Sequence, residues 1–277
     1  MSRNGLCPSC GLPRSLNRKL VWTADGGIYF QTRNSDRLIF LGEGEISTII
    51  GVAVDRCGDD LLKRLRECRR VFTRGDTASQ LSGIRRTLFK RWPMTKQVIN
   101  AAFKEAAFFG CGDINIFDIS PRKHLIIKAR HPYHPHLLAG DVWGFWEALY
   151  GVEAELSISS TSELEWDITV RTLAKSSRKT DFQKHSRRPD RDFTLEVCDQ
   201  CKLPRFAWEL RWDTELGTIY EAVSHRHLTL TSVLGWSRVI KEIRDSLGKD
   251  FYSSLGSALP ERASAEFRLL KGDNYKT

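Results

Sequence analysis

The clearest run of pattern lies in the middle of the chain. Over residues 95 to 109 the apolar positions Val98, Ala101, Ala102, Ala106 and Phe109 recur at helical spacing and stop at Gly110, which predicts an amphipathic helix closed by glycine. The period then changes. Asp113 to Asp118 alternates polar and apolar, Ser120-Pro121-Arg122-Lys123 supplies a turn, and His124 to Arg130 returns, so a hairpin is predicted. After the stiff stretch His131 to His136, Leu137 to Tyr150 has the small and aromatic content of a mostly buried helix ending at Gly151. Val152 to Ile158 and Leu164 to Val170 predict a second hairpin.

Either side of this segment the chain repeats itself. Cys-Pro-Ser-Cys-Gly-Leu-Pro-Arg at 7 to 14 returns as Cys-Asp-Gln-Cys-Lys-Leu-Pro-Arg at 198 to 205, with five of eight positions identical. Ile28-Tyr29 and Ile219-Tyr220 place a tyrosine nineteen residues after the second cysteine of each copy, and Gly26 and Gly217 keep the register. Trp22 matches Trp212 with one residue of slippage, and the apolar stretches 37 to 41 and 226 to 230 match with two. Each copy ends on a helix signature, Gly58 to Leu62 and Gly248 to Tyr252, followed by Leu65 and Leu255 at equal spacing. The repeat reads as a knuckle, a two-strand hairpin, a third strand and one or two helices.

A Cys-x-x-Cys pair followed by turn-forming residues aims two sulfurs at one point, half of what tetrahedral zinc requires. His225 and His227 offer further ligands in the second copy, but the first copy holds no histidine. One site shared by Cys7, Cys10, Cys198 and Cys201 treats both copies alike and leaves no open coordination position, so a structural zinc is expected. Redox use is the weaker reading, because Leu12-Pro13-Arg14 and Leu203-Pro204-Arg205 lead into strand-like sequence and not into a helix.

The expected fold class is therefore α+β: a central α/β unit of antiparallel hairpins and helices, flanked by two homologous zinc-knuckle αβ repeats. The expected divisions are 1 to 72, a connector at 73 to 94, the central unit at 95 to 172, a basic linker at 173 to 195, the second repeat at 196 to 258, and a tail at 259 to 277.

The order helix, hairpin, glycine-containing helix, hairpin resembles the 4-vinyl reductase domain, a small-molecule-binding module of bacterial sensors of aromatic compounds. Phe109-Gly110-Cys111-Gly112, Leu138-Ala139-Gly140, Phe145-Trp146-Glu147, Gly151 and the strand Leu164 to Val170 carry the resemblance. It covers less than a third of the chain, through loose motifs. It implies an apolar pocket between helices and sheet, drawn from Phe103, Phe108, Phe109, Cys111, Trp143, Phe145, Trp146, Glu147 and Tyr150. Sensors of that family carry cysteines around the final hairpin; here residues 157 to 166 contain none. The same aromatics also suit a filled core, or an interface with a protein partner or a second copy.

Composition narrows the function classes. No apolar run reaches the roughly 20 residues that span a bilayer, the start lacks the apolar core of an export signal, and seven cysteines is an odd number, so a cytoplasmic protein is expected. The net charge of +9 is local, since residues 171 to 192 hold eight Lys or Arg against three Asp. That stretch reads first as a solvated linker, with only Phe182 able to stack on a base; nucleic-acid binding through a zinc-ribbon-like module is the alternative. Prolines between His131, His134 and His136 argue against a metal cluster, and Cys57, Cys68 and Cys111 read as buried small hydrophobes. No acid-base or nucleophile constellation appears, which leans against an enzyme; a vinyl-reductase-like activity stands third, with no catalytic residue to name.

Overall fold

The computed structural model describes residues 5–23, 27–31, 36–81, 94–176 and 196–258. Gly26, Phe182 and most of the basic linker lie outside the described residues, as does the tail. The described chain is a mixed α+β structure with two antiparallel sheets.

After a short helical turn α1 (Leu16–Lys19) come β1 (Leu20–Trp22), β2 (Ile28–Phe30), β3 (Arg37–Gly42), α2 (Glu43–Cys57) and α3 (Asp60–Gln80). The central segment supplies α4 (Met94–Phe108), β4 (Asp113–Ser120), β5 (His124–Arg130), α5 (Pro135–Tyr150), β6 (Val152–Ser160) and β7 (Glu165–Ser176). The last part adds a 3-10 turn at Arg205–Glu209, β8 (Leu210–Asp213), β9 (Thr218–Glu221), β10 (His227–Ser232) and α6 (Val233–Leu247), with residues 251 to 258 again helical.

The six-stranded sheet runs β1-β2-β3-β10-β9-β8, half from each end of the chain. At its centre Phe40 faces Leu230, Leu38 faces Ser232 and Gly42 faces Leu228, a register symmetric about the middle pair. Strand alternation puts Leu20, Ile28, Leu38, Leu210, Ile219, Leu228 and Leu230 on one face, where they bury Leu12, Leu16, Leu203 and Ala207 of the cysteine turns together with Phe108 and Phe109.

The second sheet runs β4-β5-β7-β6 and turns Leu125, Ile127, Ala129, Ile168 and Val170 inward. A bulge between Ile116 and Asp118 breaks the β4–β5 register, and Phe117 stands out in solvent beside it. α5 starts with Pro135 at its first turn and stops at left-handed Gly151, whose N–H is taken by the Glu147 carbonyl. Between those ends it is buried nearly all round.

What covers α5 is α3, a helix from outside the expected central unit. Leu61, Leu65, Arg69 and Phe72 make its buried stripe, and it continues past residue 72, so the expected boundary there falls inside a helix. One apolar cluster joins Ile46 and Ile50 of α2, Leu61 and Leu65 of α3, and Val239 and Ile243 of α6 to Trp146 and Ile168 of the central segment. The core does not divide where the sequence changes period.

Close approach of α3 and α5 depends on Gly140 and Gly144. A Cβ at 140 would stand 2.5 Å from the Arg66 carbonyl oxygen, and one at 144 would stand 2.3 Å from the Arg70 oxygen and 2.8 Å from the Arg74 nitrogen. Backbone atoms cannot swing away as a side chain can. Gly144→Ala is therefore expected to cost about 2 to 3 kcal/mol despite alanine's better helix propensity. In guanidinium titration the midpoint should fall with an unchanged slope.

Candidate metal centre

Each CxxC segment folds back on itself in the same way. Cys7 donates its N–H to the Leu12 carbonyl at 2.8 Å and Gly11 donates to Cys7 at 2.8 Å; in the second segment Cys198 donates to Leu203 at 2.9 Å and Lys202 to Cys198 at 2.8 Å. Gly11 and Lys202 both adopt left-handed backbone, φ 74° and 59°. Single bridges, Leu6 with Pro13 and Val197 with Pro204, close each turn.

The six-stranded sheet sets these two turns against each other. The four sulfurs of Cys7, Cys10, Cys198 and Cys201 lie within 4.8 Å of one another, with Cys7 to Cys198 at 3.8 Å and Cys10 to Cys201 at 3.4 Å. A tetrahedron of thiolates around a metal with bonds near 2.3 Å has edges of about 3.8 Å, so the spacing fits such a group. Cys7, Cys198 and Cys201 are buried, and Cys10 is half-buried.

Backbone N–H groups of Cys201 and Gln200 face the Cys198 sulfur and hold its pKa at about 6. At Cys7 burial pushes the thiol up, but the N–H groups of Cys10 and Ser9 outweigh it and the net direction is down. Burial raises Cys10 and Cys201. Four thiols at one point cannot all ionise alone, and the shifts run down at the first cysteine of each turn and up at the second. A divalent cation is what would allow all four to ionise. With four sulfurs around it, such a cation would have no protein-free position for water.

The other candidate residues do not form one site. Phe103, Trp146 and Tyr150 belong to the core between α5 and the four-stranded sheet, with Trp143 and Phe145 half-buried against it. Phe109 and Phe108 lie instead in the cluster beneath the cysteine turns, where Phe109 packs edge-on to Phe30 with ring centroids 5.2 Å apart. Trp146 donates its indole N–H to Thr172 at 3.0 Å, as a packed core tryptophan does. Glu147 is fully buried and is no rim carboxylate: it accepts from Arg70 at 2.9 and 3.0 Å, from Arg74 at 3.3 Å and from the Ala154 N–H at 2.8 Å.

The Phe109-Gly110-Cys111-Gly112 stretch, expected beside a pocket, is a docking strip for β10 and the turn between β8 and β9. Leu230 donates its N–H to the Phe109 carbonyl at 2.8 Å, and Gly112 donates to the Gly217 carbonyl at 2.9 Å. A Cβ on Gly110 would meet the Leu228 oxygen at 2.5 Å. Burial raises the Cys111 thiol to about 12.

Sequence reading missed the polar seam between α3 and α5. Asp141 accepts from Arg69 Nε and Nη2, each at 2.9 Å, from Tyr133 at 2.8 Å and from Thr73 at 2.5 Å. One signal was present, since Arg69 interrupts an otherwise apolar stripe.

The three histidines do not gather around a metal either. His131 is a left-handed turn residue, φ 50°, and His134 is buried with Nδ1 unpartnered among the described residues. His136 accepts at Nδ1 from Arg66 at 2.8 Å. Burial drops His134 to about 3, and burial with the Arg66 charge drops His136 to about 4. Between these values and the ordinary value near 6.5 the unfolded chain binds protons that the folded chain refuses, so stability falls as pH falls from 6.5. At pH 5 the His134 contribution alone is about 2 kcal/mol. His134→Asn should flatten the pH 5 to pH 7 difference in unfolding free energy.

Comparison with protein families, with curated proteins and with solved structures returns no match. Among the described residues, no helix is long and apolar enough to cross a membrane.

Proposed function

We propose that this chain is a cytoplasmic, non-catalytic binding protein in which two copies of one CxxC unit share a single structural zinc and frame a 4-vinyl-reductase-type module for a small hydrophobic ligand. The observation that carries the zinc assignment is the meeting of four sulfurs from two turns with the same backbone hydrogen bonds. Cys₄ is a zinc donor set, and a closed one, which suits fastening and not catalysis. Equivalence of the two units is supported by the matching order of turn, hairpin, strand and helices and by the symmetric β3–β10 register.

The ligand-binding half of the proposal is supported by the order of α4, β4, β5, α5, β6 and β7, the order the resemblance implies. Of the aromatic set, Phe103 and Phe145 remain a pair, with ring centroids 6.3 Å apart and Phe145 half-buried. A flat aromatic compound would insert at that edge, by displacing the Phe145 ring from the core surface. The test is displacement of a fluorescent hydrophobic dye from the whole protein by mono- and bicyclic aromatics. Displacement that Phe145→Ala weakens supports the proposal; no displacement by any of them overturns its ligand half and leaves the zinc half standing.

A further inference from the structure

The two CxxC turns share a backbone but differ in the charge they present. Arg14 donates its N–H to the Gly5 carbonyl at 2.9 Å and Arg205 donates to the Glu196 carbonyl at 2.8 Å, so Arg14 corresponds to Arg205 and Gly5 to Glu196. By the same alignment Asn17 corresponds to Trp208 and Arg18 to Glu209. The second turn neutralises itself: the Arg205 guanidinium is ion-paired to Glu196 at 2.8 Å and lies 5.6 Å from the Trp208 ring centre, and Glu209 lines the same groove. The first turn has neither acid and one more arginine. Its Arg14 and Arg18 are exposed, and neither is salt-bridged to another described residue.

Those two arginines line one groove of about 570 Å³ together with Pro8, Asn17, Gln200 and Cys201, and its lining holds no carboxylate and no aromatic ring. A volume of that order is usual for a small-molecule site, roughly 300 to 1,000 Å³. The groove lies between the two turns, since Arg14, Asn17 and Arg18 come from the first and Gln200 and Cys201 from the second. Leu16 is fully buried beneath α1, which leaves Asn17 and Arg18 on the outer side of that helical turn. The matching backbone bonds of the turns and the meeting of their four sulfurs hold the two walls in place.

We propose that this groove binds a small phosphate-bearing molecule, with the phosphate held between the guanidinium groups of Arg14 and Arg18. A phosphate monoester carries close to two negative charges at neutral pH and presents three terminal oxygens, and guanidinium forks meet such oxygens with paired N–H donors. A carboxylate ligand has half that charge and engages one fork. The carboxamides of Asn17 and Gln200 add neutral donors for the hydroxyl or ester oxygens of the rest of the molecule, and Pro8 and Cys201 supply the apolar part of the wall. The turn around Arg205 is an internal control, because the same backbone there carries a guanidinium that Glu196 already satisfies. The site rests on the geometry of the two turns and is independent of any hydrophobic ligand.

The test is a ³¹P NMR titration of glycerol 3-phosphate with the full chain at low salt, with zinc content and circular dichroism recorded for every variant. Saturable line broadening with a Kd of about 1 mM or tighter is expected. Sulfate should displace the ester, and acetate should do so at least about tenfold less well. Arg14→Gln with Arg18→Gln should weaken binding at least about tenfold, because both sets of charge-assisted hydrogen bonds are lost, while zinc is retained. Arg205→Gln should leave the affinity unchanged. The probe has no aromatic or extended apolar part, so its failure to bind and the failure of aromatics to displace a hydrophobic dye are separate results. Four outcomes would each overturn the proposal: no saturable response at millimolar ester, acetate competing as well as sulfate, binding that survives loss of both arginines or falls equally with Arg205→Gln, or loss of zinc from the Arg14→Gln, Arg18→Gln variant, which would assign the two arginines to the metal centre.

Discussion

Changing Cys7 and Cys10 to serine is expected to remove the metal altogether, although Cys198 and Cys201 remain. Two thiolates are half of a tetrahedral set, and a serine hydroxyl does not ionise to replace the lost charge. The parent protein should carry one zinc per chain and the variant none. Stability should fall with it, because a structural zinc in small domains contributes about 10 to 16 kcal/mol at neutral pH, as much as the whole folding free energy of a typical domain. The damage should be greatest where the ends of the chain meet, along β3 and β10 and in the cluster beneath the turns. Elemental analysis and thermal melting decide it; two metals per parent chain, or one retained in the variant, would falsify the shared site.

The second large loss is expected from Glu147→Gln. This side chain has no exposure and faces two guanidinium groups, Arg70 in a two-point contact and Arg74 through Nη1. Glutamine keeps the volume and an acceptor for the Ala154 N–H, so the change removes charge and little else. Arg70 retains Glu67, at 2.7 Å, while both Arg70 and Arg74 lose the charged acceptor at Glu147 and face an amide that also presents them with donors. Removing one partner of a buried pair costs about 3 to 5 kcal/mol, and that is the loss expected in denaturant unfolding at pH 7. A control pair tests the role of burial: Lys241 and Asp245 are 2.7 Å apart but exposed, and Asp245→Asn should leave the unfolding free energy essentially unchanged. Comparable losses for the two variants would show that depth is not what matters.

Much of the local structure was legible because it is encoded over short distances. The spacing Val98, Ala102, Ala106 marks α4, the turn at Ser120 to Lys123 separates β4 from β5, and Gly151 stops α5 where the pattern ends. Ends were less legible: β4 and β7 both run beyond their expected limits, since a strand extends as long as a neighbour pairs with it. The pairing of the CxxC turns was legible for a different reason. Two half-sites of one chemistry in a single chain have few ways to be completed.

Partners across the chain were not legible. Nothing local says that α3 lies on α5, that Gly140 and Gly144 are there to admit it, or that Arg69 and Asp141 meet in the seam. Phe108 and Phe109 looked like neighbours of Phe103 because they are neighbours in sequence, yet the turn at Gly110 sends them to the other core. Hydrophobicity drives an aromatic ring inside without specifying which interior it enters.

By itself, then, the sequence determined the elements, the two cysteine turns and the chemistry that four thiols can perform, all of which depend on residue type and spacing within a few turns of chain. Only the tertiary structure decided that β3 and β10 form one seam, that the glycines around Cys111 serve docking, and that Arg69 and Asp141 meet between α3 and α5. Those outcomes depend on contacts between segments far apart in the chain. Such contacts are set by shape, close packing and the pairing of buried charge, none of which has a local pattern to read.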